Sequence, residues 1–145
     1  MATRSNIGVK TSEGKYKVIY CHWDGYPSYN GKVLLENYNT QEKVEELIEM
    51  GDISVLREKI GEKHHIDSVE VTKLGYTTFY HRDIKEKLED TQSEEFDTLE
   101  ELLGYCINDY TYIFDNGKWL YRHWEGELKE LTPEVCGIKE EVKNV

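Results

Sequence analysis

Three short stretches of the chain share a pattern of residue types that could bind a ligand or transfer protons. Each consists of an aromatic residue, any residue, histidine, any residue and an acid, at positions 20–24, 79–83 and 121–125. Three of the five histidines of the chain lie in this pattern. Imidazole and carboxylate groups ligate divalent metals and act as general acids and bases, and aromatic faces can hold a ring. The pattern predicts a site, but it does not specify a reaction.

The geometry of a strand predicts how these side chains are arranged. Because side chains alternate between two faces, Tyr20, His22 and Asp24 are expected to share one face, and the other two stretches repeat this spacing. If the three strands are neighbours in matching register, three histidines and three acids would gather at one rim of a sheet. Each stretch also has a structural explanation, since Asp24 before Gly25 is ordinary turn chemistry.

One hypothesis is therefore a metal-dependent hydrolase of the phosphodiester class. A bound Zn²⁺ or Mn²⁺ could supply a hydroxide nucleophile at such a rim. The residues that would hold the metal are His22, Asp24, His81, Asp83 and His123. The chain contains no GxSxG, HExxH, Walker-type or CxxC motif, so no other reaction class is indicated.

The first interpretation is instead a non-enzymatic binding protein that needs no cofactor. Tyr26 lies beside Pro27 in a predicted loop, where exposed tyrosines favour binding. Arg82 and Arg122 lie within or beside the repeated pattern and would suit a phosphate or a carboxylate, although salt bridges would also explain them. The predicted ligand-binding residues are Tyr20, His22, Trp23, Asp24, Tyr26, His81, Arg82 and His123.

Length and charge limit the possible functions. The 145 residues suffice for one domain, 1–145, of which 140–145 are expected to fray. A net charge of −11 disfavours generic duplex DNA or RNA binding and anionic membranes. An acidic surface suits solubility, a basic protein partner or mimicry of nucleic acid, and a solvated acidic surface is the simplest of these explanations. Three cysteines without CxxC spacing argue against a disulfide framework. No leader or membrane-length apolar run is present, so a cytoplasmic location is expected.

Local signals predict an α+β fold: an antiparallel sheet built from hairpins, with helices packed on one face. Hairpins are predicted from strands 6–11 and 16–23, and from strands 110–115 and 118–124, the latter joined by Asn116-Gly117. Further strands are predicted at 67–73 and 76–81, and 84–97 is predicted to be a loop or an exposed helix.

Helices are predicted at 31–38, 40–50 and 54–61, and a short one from 132. A fifth predicted helix begins with the capping box of Thr98 and Glu101. Its buried face is predicted to consist of Leu99, Leu102, Leu103, Cys106 and Ile107.

The chain resembles a group of small uncharacterised phage and prophage proteins. The resemblance covers most of the chain and rests on Thr3-Arg4-Ser5-x-Ile7, Tyr20-x-His22-Trp23-Asp24-Gly25-Tyr26-Pro27, Phe79-Tyr80-His81-Arg82-Asp83 and Phe114-Asp115-x-Gly117-Lys118-Trp119. It carries over no catalytic residue and implies a context. In that context a small acidic protein is expected to be a homo-oligomeric counter-defence factor in the host cytoplasm. It would sequester a nucleotide-like signal or block a host protein.

Overall fold

Eight strands form a single sheet in the computed structural model, which describes residues 2–65 and 68–138. The strands are β1 (Ser5–Lys10), β2 (Tyr16–Cys21), β3 (Ile53–Val55), β4 (Thr78–Phe79), β5 (Glu94–Phe96), β6 (Tyr110–Asp115), β7 (Lys118–His123) and β8 (Lys129–Glu130). Their order across the sheet is β4-β3-β2-β1-β6-β7-β8, and β5 also pairs with β2. The pairs β1–β6 and β2–β3 are parallel and the others antiparallel.

Short helices connect the strands. They are α1 (Lys32–Asn37), α2 (Gln41–Glu49), α3 (Val69–Leu74), α4 (Leu88–Thr91) and α5 (Leu99–Tyr105), and a π-helical turn, Pro27–Gly31, leads into α1. Hydroxyl groups of Thr40, Ser68 and Thr98 accept backbone N–H bonds at the starts of α2, α3 and α5, which is why these helices begin there. None of the helices among the described residues is long and apolar enough to cross a membrane.

The sheet buries apolar residues on a first face that α1 and α2 cover. Residues paired across neighbouring strands share a face, and Ile7 pairs with Ile19 on β2 and with Tyr112 on β6. These three residues belong to a core that also contains Leu34 of α1 and Leu47 of α2. Most of the apolar burial of the molecule is on this side.

The opposite face of the sheet is covered by α5. Gly8, the neighbour of Ile7 in β1, pairs with Val18 and Ile113, and these two residues pack against Leu102 and Cys106 in a second core. A Cβ at Gly8 would lie 2.9 Å from Cδ1 of Ile113, so glycine lets the second core approach the sheet. The mixed α and β content and the mostly antiparallel sheet are as predicted, but the packing of all helices on one face is not confirmed.

The first and last hairpins are confirmed. β1 and β2 pair in antiparallel register from Ser5 with Cys21 to Lys10 with Tyr16. Asn116 and Gly117 join β6 to β7 with φ angles of 52° and 78°, the left-handed pair that a two-residue hairpin turn requires. The predicted cap at Thr98 is also present, because Oγ1 of Thr98 accepts the N–H of Glu101 at 3.1 Å. The Glu101 carboxylate accepts a hydrogen bond from the same hydroxyl at 3.1 Å.

The prediction of a strand at 67–73 is wrong over its described part, since residues 69–74 form α3. The Ser68 hydroxyl accepts the N–H of Val71 at 3.2 Å, and Gly75 ends the helix in the left-handed region, with φ of 73°. The β-branched residues of this segment favour a strand by propensity. The cap at one end and the glycine at the other outweigh that preference. Residue 67 lies outside the described residues.

The prediction of a helix beginning at Ser54 is also wrong, because residues 53–55 form β3. Ile53 pairs with Cys21 of β2 on one side and with Phe79 of β4 on the other. This segment is a strand because it is buried and hydrogen-bonded between β2 and β4. Tertiary context often determines the conformation of short apolar segments in this way.

Three other segments differ from their predictions. Strand 76–81 is reduced to β4, because the Asp83 carboxylate accepts the Phe79 N–H at 2.8 Å and turns the chain. The acidic segment 84–97 contains α4 and β5. Residues 133–137 form successive turns and not a helix. Residues 139–145, which include the end 140–145 that was predicted to fray, lie outside the described residues.

Candidate functional site

Two of the three His-x-acid stretches lie at the same end of the sheet. β2 and β7 run in the same direction, so His22, which follows β2, and His123, which ends β7, both lie at this rim. Two strands, β1 and β6, separate them, which corresponds to about 14 Å at the usual strand spacing. The same rim holds the starts of β1 and β6.

His22 and His123 nevertheless lie on opposite faces of the sheet. Ser5 pairs with Cys21 and with Tyr110, and Tyr110 pairs with His123, so His123 shares the face of Cys21. Its ring stacks on Tyr110, with 4.6 Å between ring centroids. His22 belongs to the other face, because its Nδ1 is hydrogen-bonded to the hydroxyl of Tyr20 at 2.7 Å.

The third stretch, 79–83, has a structural role. Asp83 is buried, and Nε of Arg82 donates to it at 2.9 Å while the Phe79 N–H donates at 2.8 Å. Burial opposes ionisation of Asp83, but these hydrogen bonds outweigh it and hold the pKa of the carboxyl below its ordinary value. His81 is exposed, and its Nδ1 lies 2.7 Å from the main-chain oxygen of Glu86.

The ligand set predicted for Zn²⁺ or Mn²⁺ is therefore not brought together. Within residues 2–65 and 68–138, no group of three or more His, Cys, Asp or Glu side chains could hold a metal ion. His22 and His123 are divided between two faces, and Asp83 is committed to Arg82.

The loop that follows β2 is supported by buried polar contacts. Asn30 is fully buried, and its Nδ2 donates to the main-chain oxygen of Trp23 at 3.1 Å and to Oγ of Ser5 at 3.3 Å. The hydroxyl of Tyr112, also buried, donates to the main-chain oxygen of Gly25 at 2.6 Å. These bonds hold the backbone from Trp23 to Gly25 in place from the buried side.

The backbone of this loop packs closely against a neighbouring segment, and two residues of the rim have strained φ angles. A Cβ at Gly25 would lie 2.9 Å from the main-chain oxygen of Thr3, which accepts the Gly25 N–H at 2.8 Å. Asp24 and Trp124 have φ angles of 56° and 52°, a region that non-glycine residues adopt at a cost of about 1 kcal/mol or more. Residues held in such conformations cluster at functional sites.

The strained rim displays large side chains to solvent. Trp23 is 44% exposed, Tyr26 37%, Ile107 81% and Trp124 54%, and Arg4 is exposed between them. We call the set of Arg4, Trp23, Asp24, Tyr26, Ile107 and Trp124 the rim surface. Tryptophan, tyrosine and arginine are the residue types most enriched among energetic hot spots of protein interfaces.

Hydrogen bonds link the segment of Thr3 and Arg4 to the loop that contains Trp23 on one side and, through Asp109, to Trp124 on the other. The Arg4 N–H donates to Oδ2 of Asp109 at 3.0 Å, and the Trp124 N–H donates to the main-chain oxygen of Asp109 at 2.9 Å. Thr3, next to Arg4, accepts the Gly25 N–H. The chain start thus holds the loop of Trp23 and the end of β7 in a fixed relation.

Two adjoining clefts flank Trp124. They have volumes of about 380 and 320 Å³, and both are lined by Ile107, Asn108 and Trp124. The larger cleft also includes Cys106 and Glu125, and the smaller includes Ala2, Arg4 and Asp109. Each is open to solvent.

Of the predicted ligand-binding residues, the rim therefore unites Trp23, Asp24 and Tyr26, with His22 and His123 on its two sides. Tyr26 donates its hydroxyl to Oδ1 of Asp24 at 3.0 Å, so these two side chains form one unit. His81 and Arg82 belong to the turn after β4, away from this loop.

Sequence reasoning missed Arg4, Ile107 and Trp124 as site residues. Ile107 was expected on the buried face of α5, but the helix ends at Tyr105 and Ile107 projects into solvent. No local signal marks this, because the spacing fits a longer helix. Trp124 also lies within the repeated pattern, but the residue of that stretch predicted to bind a ligand is its neighbour His123.

The carboxyl of Asp52 supports the backbone of Tyr20 in β2. Its Oδ1 accepts the Tyr20 N–H at 2.9 Å. Burial, helped by repulsion from Glu94 and Glu86, raises the pKa of Asp52 to about 6, although the hydrogen bond from Tyr20 opposes this.

No family model matches the chain, and neither does any curated protein or solved structure with which it was compared. The resemblance to phage and prophage proteins stays a prediction, and the function is inferred from residues and geometry.

Proposed function

We propose that this chain is a non-enzymatic binding protein that docks a basic partner protein on the rim surface. The observation that carries the proposal is the display of two exposed tryptophans, Trp23 and Trp124, on backbone held by hydrogen bonds, from the buried Asn30 amide to the Trp23 oxygen and from the Trp124 N–H to the Asp109 oxygen. Rigid presentation of large aromatic side chains reduces the entropy lost on binding. About 14 Å separates the strand ends that carry the two rings, so one interface of standard size covers both.

A protein partner fits the rim surface better than a nucleotide-like ligand. The clefts beside Trp124 are open, and Arg4 is the one cation of the rim surface. Arg82 and Arg122, the predicted phosphate neighbours, are engaged elsewhere: Arg82 pairs with Asp83, and Nη2 of Arg122 donates to the Leu103 oxygen at 2.6 Å. A net charge of −11 also repels phosphates.

The same net charge favours a basic partner. Long-range attraction raises the rate of encounter with a cationic protein and excludes anionic competitors. Exposed aromatic residues then supply the short-range contacts. In the setting that the sequence resemblance implies, a phage or prophage, the partner would be a host protein, and the chain would act by blocking it.

Selection from a random peptide library, displayed on phage and panned against the purified chain, tests the proposal. Enriched peptides should be basic, and their affinity should fall about tenfold or more in a variant with Trp23→Ala and Trp124→Ala. The matched control carries Val69→Ala and Leu88→Ala, which truncate two other exposed apolar side chains that line neither cleft, and it should bind like the wild type.

Two outcomes would overturn the proposal. One is that no selected peptide depends on the two tryptophans. The other is that a panel of cyclic dinucleotides and ADP-ribose raises the melting temperature, and that the double tryptophan variant abolishes this rise. The second outcome would assign the rim surface to a nucleotide-like ligand.

A further inference from the structure

We infer that the larger cleft beside Trp124 receives an arginine or lysine side chain of the basic partner, an inference that rests on the proposed function. The cleft lies between the segment that follows α5 and the end of β7. Its lining, Cys106, Ile107, Asn108, Trp124 and Glu125, combines an indole, an apolar side chain and a carboxylate.

Each of these groups matches one part of a long cationic side chain. The half-exposed indole of Trp124 attracts a cation over its face. The carboxylate of Glu125 accepts hydrogen bonds from a guanidinium or ammonium group. Ile107, the most exposed large apolar residue of the described chain, offers a contact for the methylene stem.

The carboxylate of Glu125 is available for such a pair. Within residues 2–65 and 68–138, no lysine or arginine lies within ion-pair distance of it. Arg122, two residues before Trp124, donates through Nη2 to the main-chain oxygens of Leu103 and Cys106. Its guanidinium is therefore engaged by backbone at and just after the end of α5 and not by the acid of the cleft.

The two clefts differ in charge, and this difference favours the larger cleft as the site for a cationic side chain. The lining of the larger cleft contains Glu125 and no basic residue, whereas the smaller cleft contains Arg4 beside Asp109. An incoming cation is favoured in the first cleft and meets a like charge in the second.

The test is a titration of ¹⁵N-labelled full chain with blocked tripeptides, followed by NMR. The probes are acetyl-Gly-Arg-Gly-amide, its lysine counterpart and its citrulline counterpart, which keeps the shape of arginine without the charge. The arginine and lysine peptides should shift the Trp124 indole N–H and the Asn108 and Glu125 amides saturably. The citrulline peptide should bind about tenfold more weakly.

Matched variants separate this cleft from general charge attraction. Glu125→Gln should weaken binding of the arginine peptide about threefold. Glu127→Gln, which removes the same charge from an exposed residue outside the cleft, should leave it unchanged. Trp124→Ala should abolish the saturable shifts of the Asn108 and Glu125 amides, and Leu88→Ala, which truncates an exposed apolar side chain that does not line the cleft, should preserve them.

Two outcomes would overturn this inference: the citrulline peptide binds as tightly as the arginine peptide, or the two glutamate variants have equal effects. If the library peptides still depend on Trp23 and Trp124, the proposed function stands and only the inference about the cleft fails. If the library peptides show no such dependence, the proposed function fails as well.

Discussion

The side-chain amide of Asn30 donates a hydrogen bond to the main-chain oxygen of Trp23 across 3.1 Å, from a position without solvent exposure. Seven residues separate the two in sequence. The bond joins the turn before α1 to the loop that displays Trp23, and the Asn30 N–H adds a second link to the oxygen of Asp24 at 3.1 Å.

Replacing Asn30 by alanine should destabilise the fold by about 2 kcal/mol. The change leaves the Trp23 oxygen and the Ser5 hydroxyl without a buried donor. Chemical denaturation monitored by circular dichroism measures the effect. Asn39→Ala is the control, since Asn39 is exposed and its loss should change stability by less than about 0.5 kcal/mol. Equal stability of the two variants would contradict the supporting role of Asn30.

Two glycine-to-alanine substitutions should change the stability of the fold in opposite directions. Gly25→Ala places a Cβ 2.9 Å from the Thr3 oxygen, against backbone that cannot yield easily, and should cost about 1 to 3 kcal/mol. Gly104→Ala, inside α5 with no atom within 4 Å of the new Cβ, should stabilise by up to about 1 kcal/mol. Denaturation midpoints of both variants test this, and a neutral Gly25→Ala would show that the loop is loosely held.

Asp52 should make the protein less stable as pH rises. Burial raises its pKa from 3.8 to about 6, so between these values the folded state holds a proton that the unfolded chain has released. The favourable contribution of the group is complete below pH 4 and is lost as pH rises through 6. Because the carboxyl is partly exposed, solvent screening limits the loss to about 1 kcal/mol.

Asp52→Asn isolates this effect, because the amide oxygen can still accept the Tyr20 N–H. The free energy of unfolding of wild type minus variant should fall between pH 4 and pH 7, and the variant should be the more stable at pH 7. Parallel stability curves for the two proteins would contradict the raised pKa.

The cysteine thiols should be inert in the folded protein. Cys21, Cys106 and Cys136 are all buried, and burial raises the pKa of Cys21 to about 12. Thiolate is the reactive form, so its population at pH 8 is negligible. A disulfide-exchange reagent should label no thiol in the native state and all three in denaturant, measured by intact mass. Rapid native labelling of Cys21 would indicate an open loop around Trp23.

The sequence predicts correctly those turns and helix starts whose conformation is set by their own residues. The Asn116-Gly117 turn and the Thr98 cap specify their own conformations, whatever the rest of the chain does. Two segments were predicted wrongly. Residues 53–55 form a strand because they are buried between two other strands, which the local sequence does not show. Residues 69–74 form a helix because the caps at its two ends outweigh the strand preference of its β-branched residues.

The end of β2 that the sequence singled out lies at the rim surface, but the sequence did not predict which faces of the sheet the histidines occupy. Alternation within β2 correctly related Tyr20 to His22. Whether His22 meets His123 depends on the register of four strands, which no residue of either stretch encodes. The exposure of Ile107 depends on where α5 ends, two residues earlier than its apolar spacing suggests.

The indole N–H signals of the three tryptophans provide the most direct measurement of the central claim. Trp119 serves as an internal control, because it is buried and its Nε1–H donates to the Tyr38 oxygen at 2.8 Å. When the tightest library peptide is added to ¹⁵N-labelled chain, the Trp23 and Trp124 signals should shift together with one binding curve, and the Trp119 signal should stay in place. Peptide binding that leaves both rim signals unmoved would contradict the assignment of the rim surface as the docking site.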